Sequence, residues 1–377
     1  GLFNFGATPF QDAAPTGFTT MSTQNLPAPT IADGSQYFNT VLYTGNGTAI
    51  GSGGQSITGV GFQPDFAWFK CRSATSNYQL FDVIRGAEKV IYSSLTSAEG
   101  TFAETLSSFD ADGFTVGNNG GVNTSSATYV AWCWKAGGAA ASNTDGTITS
   151  SVSANTTSGF SIVSYTGTAT NGTIGHGLPS APKLMFAKNR DTTDLWVAYH
   201  ESMDAADPAG YYMHLNSNIS RQAGTGYWQG VEPTSSLITV GSNAATNGNT
   251  NEHIIYCWSE VEGFSKFGSY TGNGNADGPF VYTGFRPAYL LVKRTDSTGN
   301  WILIDSQRDT FNVCDAILTP DDAQAEVTAD AWDMLSNGFK LRSTSPNRNA
   351  SGGTYIYAAY AEHPFQGDDG VTQARAR

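Results

Sequence analysis

One pattern is written three times along this 377-residue chain, and a repeat of that length decides the architecture before any single residue is weighed. Tyr43-Thr44-Gly45, Tyr165-Thr166-Gly167 and Tyr270-Thr271-Gly272 each open a copy. A proline follows in each, Pro64, Pro182 and Pro287. It leads into a short apolar run: Phe66-Ala67-Trp68-Phe69, Leu184-Met185-Phe186-Ala187 and Tyr289-Leu290-Leu291-Val292. With the prolines in register the frame needs no gap: Lys70, Lys188 and Lys293 lie six positions on, and Asp82, His200 and Asp305 eighteen positions on. Each copy closes on an aromatic segment, Tyr129 to Trp134, Ile254 to Trp258 and Tyr355 to Tyr360.

The repeated segments are short, rich in β-branched and aromatic residues, and separated by clusters of Gly, Asn, Asp, Ser and Thr, which is the pattern of antiparallel strands joined by tight turns. Asp112-Gly113 and Asn337-Gly338 are turn dipeptides of the hairpin kind. The expected fold is all-β, three tandem antiparallel β-sandwich-like units with little helix. Only 98–106 and 321–335 carry enough Ala, Glu, Asp and Leu to suggest a helical turn. The boundaries that follow are an N-terminal extension over 1–41, a first repeat over 42–137, a linker over 138–159, a second repeat over 160–266, a third over 267–366 and a tail over 367–377.

Composition narrows the function. Only 14% of residues are charged, against roughly 25% in an ordinary soluble domain, and the formal net charge is -13. An acidic chain of this kind disfavours phosphate backbones and anionic lipid, so neither nucleic-acid binding nor membrane insertion is expected. No apolar run approaches the roughly eighteen residues of a membrane-spanning helix, and Gly1 in place of an initiator Met reads as the start of a fragment or a processed chain. Cys71, Cys133, Cys257 and Cys314 have neither the spacing of a zinc site nor the density of a disulfide framework, and read as free thiols.

Few residues carry chemistry. Asp82 with Arg85, and Asp305 with Arg308, place an acid and a base three apart at matching positions, which reads as a turn-fixing salt bridge. An exposed pair of that type contributes about 0.2–1 kcal/mol. The middle copy has His200 and Met203 there, so the pair is dispensable. The histidines at 176, 200, 214, 253 and 363 show no metal-ligand spacing, and no nucleophile elbow, catalytic pair or cofactor motif marks an enzyme. Tryptophans at strand positions read as core. Trp228, beside Tyr227 in a Gly-rich stretch, is the one candidate for an exposed platform that stacks on a sugar ring.

The segments Tyr43-Thr44-Gly45-Asn46-Gly47, Gly59-Val60-Gly61-Phe62-Gln63-Pro64, Tyr270-Thr271-Gly272-Asn273-Gly274, Gly284-Phe285-Arg286-Pro287 and Gly352 to Tyr357 resemble the tandem β-repeat domain of virion proteins of tailed bacteriophages and prophages. Phe3 to Phe10 with Pro15 to Phe18 are similar to the last strand of a SPRY-type domain. The resemblance implies a non-enzymatic structural protein of the virion, on a tail fibre, tail spike or head decoration, and involved in host attachment. Its implied partners are other copies of itself as a homotrimer, other virion proteins and a host-surface glycan. No catalytic residues carry over. A secreted lectin-like protein and a polysaccharide depolymerase are the alternative readings.

Overall fold

The fold is that of a computed structural model, which describes residues 30–362. The SPRY-like segment before Thr30 and the end of the chain beyond Glu362 lie outside the described residues.

Each copy of the repeat builds the same sheet. In the first, the opening strand Phe38–Thr44 pairs with the closing strand Thr128–Trp134, which pairs with the proline strand Phe66–Cys71, which pairs with an edge strand Gln79–Asp82. The second repeats that order with Phe160–Thr166, Glu252–Trp258, Leu184–Asn189 and Val197–His200. The third does so with Ser265–Thr271, Thr354–Ala361, Pro287–Arg294 and Ile302–Asp305. Every pairing is antiparallel. A smaller sheet covers one face: Gln55–Thr58, Gly113–Val116 and Leu106–Asp110 in the first unit, Gly172–Gly175 and Leu237–Val240 in the second, and Phe280–Tyr282, Gly338–Leu341, Val327–Leu335 and Cys314–Ile317 in the third.

The proline strands are apolar without alternation because both of their faces are buried. One face packs on the unit's own small sheet. In the first unit Ala67, Phe69 and Cys133 meet Ile57, Phe114 and Val116. In the second Met185, Ala187 and Cys257 meet Ile174, Ile238 and Val240. In the third Leu290, Val292 and Ala359 meet Val281, Phe339 and Leu341. The opposite faces of all three sheets meet one another in a single aromatic core. There the ring of Phe66 lies 4.3 Å from Tyr256, Trp134 lies 5.6 Å from Tyr289, and Phe186 lies 5.7 Å from Trp301. Three sandwich cores therefore surround a fourth that belongs to none of them.

The contacts between units run cyclically. Twelve positions after each repeat proline, a backbone N–H donates to the preceding member of the ring: Asp194 to the Thr96 carbonyl, Ser76 to Ala323 and Gly299 to Asn218. A head-to-tail contact that closes after three copies is the logic of a cyclic trimer, here within one polypeptide.

Two expectations are corrected. The stretch 138–159 is more than a linker: Ala141–Asn143 and Ser150–Asn155 pair antiparallel and extend the second unit's sheet beyond its opening strand. Nor do 98–106 and 321–335 form helix, since they contain the strand Gly100–Thr101 and the nine-residue strand Val327–Leu335. In the latter Trp332 and Met334 face the core, so tertiary burial overrides a helix-favouring composition.

Candidate functional site

The repeat frame converges at the ends of the edge strands, where Asp82, His200 and Asp305 are all buried. Asp82 Oδ1 accepts the backbone N–H groups of Ile84 and Arg85, while Oδ2 accepts Arg85 Nε and, from the second unit, the Tyr256 hydroxyl at 2.7 Å. Asp305 repeats this: Oδ1 accepts from Gln307 and Arg308, and Oδ2 from Arg308 Nε and, from the first unit, Trp132 Nε1 at 3.0 Å. The ion pairs expected at the surface are thus buried, with both partners fully covered. Their surroundings make loss of one partner far more costly than at an exposed pair.

His200 keeps the geometry and inverts one bond. Its Nδ1 accepts the Ser202 N–H at 3.0 Å, as Oδ1 does in the aspartates, and its Nε2 donates to the Tyr357 carbonyl of the third unit at 3.0 Å. Burial lowers the imidazole pKa to about 4, and nearby Lys183 adds to this against the pull of the Tyr357 carbonyl. The ring is neutral at pH 7, no carboxylate needs a guanidinium, and Met203 fills the place of Arg85 and Arg308.

Charged groups at the seams follow the same cycle. Glu99 of the first unit holds Arg85 and reaches Arg190 of the second at 3.0 Å. Glu326 of the third holds Arg308 and reaches Arg72 of the first at 2.7 Å. At the remaining seam the ion pair does not cross: Arg221 donates its backbone N–H to the Thr295 carbonyl of the third unit, as Glu99 and Glu326 do to Arg190 and Arg72, and its side chain pairs with Asp204 of its own unit. Lys70, Lys188 and Lys293 are buried, and their ammonium groups donate to backbone carbonyls. Two of these sets cross a seam, Lys70 to Ala323 and Lys293 to Asn218 and Ile219. Burial lowers all three lysine pKa values to about 8. Pro64, Pro182 and Pro287 are buried where they enter the proline strands.

Trp228 is no sugar platform. It is 1% exposed, belongs to the second unit's own core and packs edge-on against Tyr199. Tyr227 is half-buried with its ring 4.2 Å from Tyr212. Glycine neighbours mark a turn here, and the turn folds the indole inward.

A recurrent site escaped the sequence reading. Asn123, Asn247 and Asn349 each end a one-turn helix, Gly120–Asn123, Ala244–Asn247 and Pro346–Asn349, and each is fully buried. Asn349 Nδ2 donates to the carbonyls of Asn275 and Ser343, and its Oδ1 accepts the Asn273 N–H. The hydroxyl of the repeated Tyr-Thr-Gly donates to the residue before each asparagine: Tyr43 to Val122, Tyr165 to Thr246 and Tyr270 to Arg348. The motif's glycine is required, since a Cβ at Gly45, Gly167 or Gly272 would stand 2.1–2.3 Å from the carbonyl oxygen just after that asparagine. The sequence did hold a signal, because each asparagine lies eleven positions before the aromatic that ends its closing segment, Trp134, Trp258 or Tyr360.

The chemistry available is that of binding and positioning. Among the described residues no three His, Cys, Asp or Glu side chains converge in a metal-holding group. The four cysteines are free and buried, and burial pushes the thiols of Cys133, Cys257 and Cys314 up, which keeps them protonated. A polar groove of about 360 Å³ between the first and third units is lined by Asn39, Thr40, Ser306, Gln307 and Thr310, without an activated nucleophile. Large exposed apolar side chains concentrate in the third unit: Phe280, Tyr282, Phe311, Val313 and Val327. A family model described as a domain of unknown function, DUF7483, matches residues 33–364. No curated protein matches the chain.

Proposed function

The chain belongs to the DUF7483 family, and we propose that it is a non-enzymatic structural protein of a bacteriophage particle, displayed on a tail fibre, tail spike or head decoration and serving host attachment. The observation that carries this reading is how the repeated polar residues are used. Asp82, His200, Asp305 and the glutamates at 99 and 326 serve to lock three sandwiches into a closed ring. Such a body is a rigid mount whose variable parts are its outer faces and loops. Other virion proteins are the proposed neighbours. Other copies of the chain, as a homotrimer, and a host-surface glycan are the remaining proposed partners.

The reading is tested on purified particles by peptide mass spectrometry and by electron microscopy with a labelled antibody. The protein is expected in stoichiometric amounts at one defined position. Particles that lack it end the proposal.

A further inference from the structure

The three small sheets are built on one lattice, so their outer faces can be compared point by point. On the first, Ser56 stands opposite Thr115 and Thr58 opposite Gly113. On the second, Thr173 stands opposite Thr239 and Gly175 opposite Leu237. On the third, Phe280 stands opposite Lys340 and Tyr282 opposite Gly338. The residue between them faces the core in every unit, as Ile57, Ile174 and Val281. Side chains alternate across a strand, so Phe280 and Tyr282 share the outer face about 7 Å apart. They are 45% and 63% exposed. The fold does not ask for aromatic rings there, because two sister units put small residues at the same points.

The surroundings suit a flat, uncharged, hydrogen-bonding ligand. Next to Tyr282, Gly338 leaves a floor without a side chain, and a Cβ there would come within 3.0 Å of the Phe280 ring and closer still to the Val281 carbonyl oxygen. The rim is charged but balanced: Lys340 pairs with Asp277 at 2.7 Å, and Arg342 with Asp333 at 2.5 Å. A face with equal positive and negative charge gives a polyanion no net attraction, and a wholly apolar partner would leave four charged groups to be desolvated. A neutral sugar ring meets both features, its apolar face on the aromatic rings and its hydroxyl groups on the paired rim.

We propose that this outer face of the third unit, centred on Phe280 and Tyr282, is a binding site for neutral polysaccharide. The site rests on the attachment reading only for where its ligand comes from; the binding itself does not. In the test, the full chain migrates through native gels that hold dextran, mannan, galactomannan or soluble β-glucan, with heparin as the charged comparison. The wild-type chain is expected to be retarded by at least one neutral polymer. The double variant F280S/Y282T, which installs the first unit's own residues, should weaken that retardation at least about tenfold, while Y282F retains most of it. Unchanged melting of the double variant shows that the fold is intact. Retardation that survives in F280S/Y282T, or is seen with heparin alone, overturns the proposal. So does a wild-type chain that no neutral polymer slows, including one whose concentration-dependent self-association disappears in the double variant. A chain found on particles but indifferent to these polymers defeats the site and leaves the virion reading standing. A chain that binds them but is missing from particles does the reverse.

Discussion

Position 200 shows how a repeat can change chemistry while keeping its geometry. An aspartate there, as at 82 and 305, would face the Tyr357 carbonyl with an unpaired charge, because Met203 supplies no guanidinium. His200→Asp is expected to lose about 3 kcal/mol or more in urea unfolding at pH 7, although it restores the majority residue of the frame. His200→Asn keeps the Ser202 bond, with Oδ1 in the place of Nδ1, gives up the longer reach of Nε2 to Tyr357, and removes the titration. The sign follows from the lowered imidazole pKa. Between about 6.5 unfolded and about 4 folded the unfolded chain binds more protons, so stability falls as pH drops through that window, by about 3 kcal/mol for this group at its foot. His253, also lowered to about 4 by burial, adds a second such contribution. The loss of stability of His200→Asn between pH 7 and pH 4 should therefore be about 3 kcal/mol smaller than that of the wild-type chain, and a loss of equal size would show that protonation of His200 has no part in acid unfolding. Spacing from the prolines made this position legible in the sequence. The identity of its partner was not, since Tyr256, Trp132 and Tyr357 come from neighbouring units and lie 157 to 174 residues from the groups they meet. Trp228 failed as a candidate for a related reason: flanking glycines report a turn, not which way its side chains point.

Strands were legible where apolar runs, prolines and turn dipeptides agreed. Both expected hairpins formed, with two-residue loops between Asp110 and Gly113 and between Leu335 and Gly338. The one-turn helices were not legible, because four residues are too few for a periodic stripe and are held from outside, by the buried asparagine and the tyrosine hydroxyl. That dependence gives a graded expectation. Tyr270→Phe removes one bond and should cost about 1–2 kcal/mol, whereas Asn349→Ala leaves several buried backbone groups unpaired and should cost about 3 kcal/mol or more, measured by urea unfolding. Equal effects of the two substitutions would show that the asparagine is not the anchor of the element. The strand Val327–Leu335 is the opposite case, in which Ala, Asp and Leu suggested helix but burial of Ala331, Trp332 and Met334 in the third core, with antiparallel partners on both sides, held the segment extended.

At the scale of the whole molecule the repeat announced three units but not that they share a core, because a sequence shows which segments are apolar on both faces and not what lies against the second face. The consequence is that no unit is complete alone: each carries an aromatic face, such as Trp68 and Trp132 or Phe186 and Trp258, that only its neighbours cover. Thermal unfolding should accordingly give one transition rather than three, with calorimetric and van't Hoff enthalpies in agreement. A sharper expectation concerns a chain cut in the exposed turn between Asn143 and Ser150, with both pieces co-expressed. The cut leaves the Tyr256–Asp82 and Trp132–Asp305 bonds spanning the two pieces, together with the shared aromatic core. The pieces should therefore purify as a 1:1 complex with buried tryptophan emission, and the first piece expressed alone should aggregate or self-associate through its uncovered face. If the two pieces instead separate as folded monomers in light scattering, the units are autonomous beads, and the closed ring is not what holds the molecule together.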